Sequence, residues 1–467
     1  MAISRRGFMG AALAAGTFSL LPGCRTFCGS KVRLACVGIG QQAWNDIREF
    51  QKTGLCEIVA LCDTDLLGKQ CESALKAYPD APRFTDFRKM LDAMDGKIDA
   101  VAVMTPDFSH FPALMASMKR GLAVFSEKPL AHTFEECELL IAAAEKYGVV
   151  TQMGNQGHSG NNYYQFKHYV ETGIIDISKL KKLTAHMNNP RRWHKWNGNV
   201  KGYPAKVERP EGLDWDTWLG TAAYHDFSHD YDQGEWRSWY DFGNGCLGDW
   251  GAHIFDGIHE FFGLGLPTEI AISDVQGWNP YVFPMVDTLT FKFAATAKRK
   301  ALNIVWREGI GNYPELPKGF KHADGSKGIP TSGGQDFSKK MNLSAGKEIW
   351  MEDGSAWQGG SHASPLSLCG ADKDVEIPDW EYRGGGCNWP NQHWENFLRA
   401  VRGEIKTTSN FEVAGPLSQV FTLGCIAQRL NRSLKFDPVK KEFVGDAEAN
   451  ALLAPAPRAG WEEYYEV

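Results

Sequence analysis

The run Gly38-Ile39-Gly40-Gln41-Gln42-Ala43 has G-x-G-x-x-A spacing and directly follows an apolar stretch, Val32–Val37. At a strand-to-helix turn Gly38 permits the turn and Gly40 lets the backbone approach a pyrophosphate. Ala43 permits close packing of helix on strand, and the helix N-terminus faces the phosphates. Asp63 comes 25 residues after Gly38, where a carboxylate ending a second strand accepts hydrogen bonds from an adenosine ribose. Its charge repels a 2′-phosphate and no Arg follows nearby, so the spacing favours NAD over NADP. The alternative is a glycine turn in a sheet that binds nothing. Farther on, Gly245-Cys246-Leu247-Gly248-Asp249-Trp250-Gly251-Ala252-His253 sets Asp249 and His253 four apart, with Asp256 close behind. That spacing puts both side chains on one helical face, pointing into one cleft. An imidazole suits taking a hydroxyl proton near neutral pH, and a carboxylate can bind substrate or tune the imidazole. The pair is also compatible with a plain surface contact. A metal reading lacks an obvious third ligand.

Two further segments offer polar groups. Gly154-Asn155-Gln156-Gly157-His158 brings Gln156 and His158 within reach of substrate hydroxyls, or forms a turn with solvated side chains. Asn188-Asn189-Pro190-Arg191-Arg192-Trp193 supplies donors and an indole for stacking on a sugar, although Arg191 is equally able to pair with a nearby acid.

These groups need elements to hold them. From Lys31 to about Gly154, short β-branched runs alternate with amphipathic stretches. The expected strands are Val32–Val37, Glu57–Cys62, Asp99–Met104, Leu122–Ser126 and Val149–Met153. Helical patterns at Phe87–Met94, Pro112–Lys119 and Phe134–Lys146 lie between them. Thr133 and Glu136 supply a capping box for the last helix and Gly148 its stop. Alternation of this kind predicts an α/β fold with a Rossmann-type, doubly wound parallel sheet over residues 31–154. Beyond it, strand-like alternation recurs at Lys181–Asn188, Glu269–Val275, Asp287–Phe293 and Lys300–Trp306. In Asp287–Phe293, Leu289, Phe291 and Phe293 share one face, while Thr288, Thr290 and Lys292 share the other. Half-buried strands without intervening helices predict a C-terminal α+β domain, residues 155–467, on a large, mainly antiparallel open sheet. Residues 309–386 are rich in Gly, Ser and Pro and read as an insertion. Both a surface loop covering the cleft and a disordered excursion remain open for it.

Thr105-Pro106 follows the third strand, His110 comes shortly after, and Glu127-Lys128-Pro129 follows the next. The string TPDFSHFPALMASMKRGLAVFSEKPL resembles the glucose–fructose oxidoreductase, inositol dehydrogenase and MocA family. The segment from His393 to Gly403 resembles that family's late helix, which packs back toward the cofactor domain. The resemblance implies a nicotinamide cofactor, no metal, and cofactor contacts from Gly38, Gly40, Ala43, Asp63, Thr105, Pro106, His110, Glu127 and Lys128. It implies that Lys128 sits where nicotinamide meets substrate, polarising the reacting oxygen. His253 is then the general base and Asp249 its substrate-binding partner, while Gln156, His158, Arg191, Trp193 and Asp256 join the substrate site. Family members use the uncovered sheet face for contacts between copies, so a homo-oligomer is implied. The expected reaction is hydride transfer to or from a carbinol carbon of a sugar, glycoside or polyol. The alternative is a glycosidase that uses NAD transiently, by oxidation, elimination and re-reduction. Relatives best known for that chemistry depart from Glu-Lys-Pro, which this chain retains.

The formal net charge of −6 argues against nucleic-acid binding, since phosphates call for a basic surface. Sixteen Trp hint at sugar stacking, though most should pack in cores. Ser4-Arg5-Arg6-Gly7-Phe8-Met9, followed by an apolar stretch to Leu21, reads as a twin-arginine export signal within residues 1–30. Leu21-Pro22-Gly23-Cys24 reads as a lipoprotein box with Cys24 lipidated, although its proline departs from the usual pattern. The expectation is an exported, periplasmic protein that meets the membrane only through its signal or lipid anchor. Eleven Cys without regular spacing read as buried free thiols.

Overall fold

The computed structural model describes residues 31–188, 200–232, 234–316, 345–362, 364–370 and 392–467. The predicted export signal with Cys24, and the predicted contacts Arg191 and Trp193, lie outside the described residues.

Six parallel strands form the first sheet: β1 Val32–Val37, β2 Cys56–Cys62, β3 Arg83–Phe84, β4 Ala100–Val103, β5 Ala123–Ser126 and β6 Thr151–Met153. Their order is β3-β2-β1-β4-β5-β6, so strand succession reverses between β1 and β4. β1, β4 and β5 are almost wholly buried, as a sheet covered on both faces requires. The helix Phe134–Tyr147 starts on the predicted capping box, and Gly148 ends it in the left-handed region at φ 60°. One covering layer comes from far away in sequence. The helix Gln392–Val401 sets Phe397 against Phe50 and Phe125 on the side of the sheet that carries the helix Gln41–Lys52.

The second sheet has nine strands. They are β7 Leu180–Met187, β8 Glu269–Gln276, β9 Val286–Phe293, β10 Leu302–Glu308, β11 Gly346–Met351, β12 Ala356–Gly360, β13 Ser367–Cys369, β14 Leu434–Asp437 and β15 Glu442–Phe443. The order is β13-β12-β11-β7-β10-β9-β8-β14-β15. All pairs are antiparallel except β7 with β10. A parallel pair needs a long crossover. Here the crossover carries residues 200–243, the helix Gly245–Ile254, β8 and β9. Leu289, Phe291 and Phe293 face the core as their alternation predicts.

Within the segment read as an insertion, β11, β12 and β13 extend the sheet edge through β11 on β7, so these residues are neither a loop nor a disordered excursion. Gly346, Gly359 and Gly360 sit within that hairpin and dilute its alternation. The long helix Phe411–Leu430 joins the two domains. Its Gly415 lies against Ile141 of the first, and its Gly424 against Leu247 and Phe291 of the second. Among the described residues no helix is long and apolar enough to cross a membrane, and the described cysteines are free, six of them buried.

Candidate active site

The carboxyl ends of the parallel strands converge on one edge, delivering Gly38 from β1, Asp63 from β2, Thr105 from β4, Lys128 from β5 and Gln156 from β6. A crevice outside this edge, at the reversal of strand order, is where such sheets bind ligands.

A cavity opens there, walled on one side by Gly38, Gly40, Ala43, Asp63, Thr105 and Pro106. Gly38 lies at φ 80°, and a Cβ on it would come within 2.6 Å of the Met104 carbonyl oxygen. Gly40 caps the helix Gln41–Lys52 without a side chain of its own in the way. Asp63 accepts from the Ile39 and Asp65 amides, both at 3.0 Å. Burial raises its carboxyl above the usual range, against the pull of those amides. The Thr105 hydroxyl is buried without a partner. A glycine cradle at a helix N-terminus, a carboxylate at the second strand end and an orphaned hydroxyl together fit a dinucleotide.

The opposite wall belongs to the second domain. Leu213, Trp215, Trp218, Trp236 and Arg237 lie across the opening, and the Asp214 amide donates to the Thr64 carbonyl at 2.8 Å. Trp215 and Trp218 stack with centroids 4.3 Å apart, and Phe108 of the first domain meets Trp218 at 5.0 Å.

Next to this cavity the catalytic candidates meet. Lys128 Nζ donates to Asp249 Oδ1 at 2.6 Å, and Arg237 Nε lies 4.0 Å from the same oxygen. Asp249 and His253 ride on the helix Gly245–Ile254, both largely buried. Burial, then His362, then Lys128 push the His253 imidazole well below its ordinary value. It is therefore neutral at pH 7, with Nδ1 buried and unpartnered.

The other predicted residues fall into different roles. The His110 ring nitrogens lie 2.8 Å from the Thr105 carbonyl and 2.9 Å from the Pro129 carbonyl; burial lowers the ring to about 4, so the neutral ring donates to one of the two. Glu127 is buried beneath Gly154 and its carboxyl is raised by that burial; Gln156 Nε2 donates to it at 3.4 Å. His158 and Asp256 pair directly with each other. Asn155 donates to Asp256 at 2.8 Å, and Glu260 lies 3.1 Å from the far ring nitrogen of His158.

Three neighbours escaped the sequence reading. Asp107, buried and raised to about 7 by desolvation, accepts from the Asn244 amide at the start of the helix Gly245–Ile254. It stood inside the TPDFSH string, so the signal was present. Arg237 had no spacing signal. His362 lay in the segment read as an insertion.

Two family models match the chain. One, described as oxidoreductase family, NAD-binding Rossmann fold, covers residues 32–155. The other, its C-terminal alpha/beta domain, covers 160–282 and 370–463. A glycosyl hydrolase family 109 protein of Stenotrophomonas maltophilia is 35% identical over 29% of this chain and 32% of its own length. An inositol 2-dehydrogenase of Salmonella paratyphi B is 27% identical over 31% of this chain and 43% of its own. The chain thus spans under half the length of these curated relatives. The WlbA dehydrogenase of Bordetella pertussis, solved with NADH and UDP-GlcNAcA, superposes with a TM-score of 0.56 at 16% identity, over 87% of this chain and 99% of that one. It shares the fold.

Proposed function

Since the chain belongs to the oxidoreductase family of glucose–fructose oxidoreductase, inositol dehydrogenase and MocA, with its NAD-binding Rossmann domain, we propose that it oxidises or reduces a carbinol carbon of a sugar, glycoside or polyol. The observation that carries this reading is the Lys128–Asp249 contact across the domain boundary, joined to the cofactor cavity by Arg237 and set on the same helix as a neutral His253. NAD, when bound, supplies the hydride acceptor or donor. In the oxidising direction Lys128 hydrogen-bonds the reacting oxygen and stabilises its developing negative charge. His253 accepts the hydroxyl proton as the C–O bond becomes a carbonyl, and the reverse reaction returns it. Asp249 orients the ammonium and holds a neighbouring hydroxyl. The test is absorbance at 340 nm with NAD against a panel of sugars, polyols and glycosides, with products identified by mass. Absence of NADH formation and of carbonyl product across all three classes would refute it.

The likeness to a glycosyl hydrolase family 109 protein supports a second reading. Oxidation at one sugar carbon acidifies the adjacent C–H. The base removes that proton, the aglycone leaves, water adds, and re-reduction restores the sugar with no net redox change. Aglycone release without NADH accumulation would favour it. The Arg5-Arg6 signal supports export in the folded state by the twin-arginine route to the periplasm, with NAD loaded beforehand and retained.

A further inference from the structure

The hairpin that extends the sheet ends beside the catalytic helix. β12 runs to Gly360, and at Ser361-His362 the chain turns onto that helix. The His362 backbone N–H donates to the His253 carbonyl at 3.0 Å. Its ring stacks on the His253 ring, with centroids 3.8 Å apart and planes 19° from parallel, and Trp250 meets its edge at 5.9 Å. His362 holds φ 54°, a left-handed conformation that is costly for a non-glycine residue and survives where the surroundings enforce it. Ser361 Oγ lies 2.9 Å from His362 Nδ1.

A stacked pair cannot pass a proton directly, because ring nitrogens bond in the ring plane. Its influence is electrostatic. His362 is the less buried ring, so it takes up a proton first as pH falls. Its charge then opposes protonation of His253 across the stack. The other charged or titratable groups acting on His253 are Lys128, Asp249 and His393; those acting on His362 are Lys128, Asp256, Lys347 and Asp249.

We propose that His362 is a positioning residue: its ring and backbone lock the proton-accepting imidazole in place and, once the His362 ring is charged, resist a second proton on the pair. This rests on the reading of His253 as the base. Its test needs no substrate, however, so the two fail separately. The NAD-loaded protein with 13C-labelled histidine is titrated by NMR, the His253 signal being assigned by its loss in His253→Ala. In His362→Phe, which keeps a flat ring but cannot be charged, the His253 midpoint is expected to rise by about one pH unit. His362→Gln is the second variant should the Phe form fail to fold. With any substrate that passes the 340 nm test, the acid limb of kcat/KM moves up by the same amount. A His253 midpoint unchanged within about 0.3 unit in both variants overturns the proposal, leaving His362 a packing residue only.

Discussion

Lys128 and Asp249 lie 121 positions apart in sequence, yet the domains bring their charged atoms to hydrogen-bond distance. Lys128→Met and His253→Ala should each lower turnover by about 10²–10⁴-fold while NAD still binds, as measured by tryptophan fluorescence titration. A loss under about threefold in either variant removes that residue from the chemistry. Asp63 predicts tighter binding of NAD than of NADP, and dissociation constants for the two decide it; equal values would refute the assignment. The buried His158 makes a pH prediction. Burial disfavours its charge, but Asp256 and Glu260 outweigh burial and raise the ring to about 10. A folded-state value above the unfolded one, about 6.5, gives stabilisation that is complete below that pH and fades as pH climbs toward 10. In urea unfolding, the stability gap between wild type and His158→Asn should be widest at pH 6 and narrow by pH 10. A gap constant with pH would mean that the ring is not charged.

The helix Gly245–Ile254, which carries Asp249 and His253, is positioned by close approach to the long helix Phe411–Leu430. A Cβ on Gly251 would come within 2.8 Å of the Phe421 ring, and one on Gly424 within 2.4 Å of Leu247. Gly251→Ala must therefore displace either a buried aromatic ring or the helix bearing Asp249 and His253. It should cost about 1–3 kcal/mol by chemical denaturation and slow turnover as well; an unchanged midpoint would show that the ring has room to move. Sequence periodicity revealed the parallel strands to within a residue or two, because buried strands flanked by helices announce themselves in composition. It revealed the sheet core of the second domain by another signal, the apolar–polar alternation of half-buried strands. The edge strands β11 to β13 escaped because glycines break their alternation. β3 and β15 escaped because two residues carry no period at all. The glycine turn and the Asp249–His253 helix were legible in spacing. His362 and Arg237 were not, since tertiary pairing alone brings them to the site.

The cofactor cavity is bounded by both domains, with the Trp215–Trp218 stack and the Asp214–Thr64 hydrogen bond on its outer side. With residues of both domains lining the site, protein purified without added cofactor is expected to retain NAD through gel filtration, detected by mass and absorbance. Material emerging empty, and turning over only with free NAD, would refute retention. The helix Gln392–Val401 has a consequence of another kind. The ribosome delivers every strand of the first sheet by Met153, but Phe397, which covers Phe50 and Phe125, arrives some 240 residues later. Until then the nascent domain shows an oily flank to whatever surrounds it. The last layer over Phe50 and Phe125 is thus added only after most of the second domain has been made.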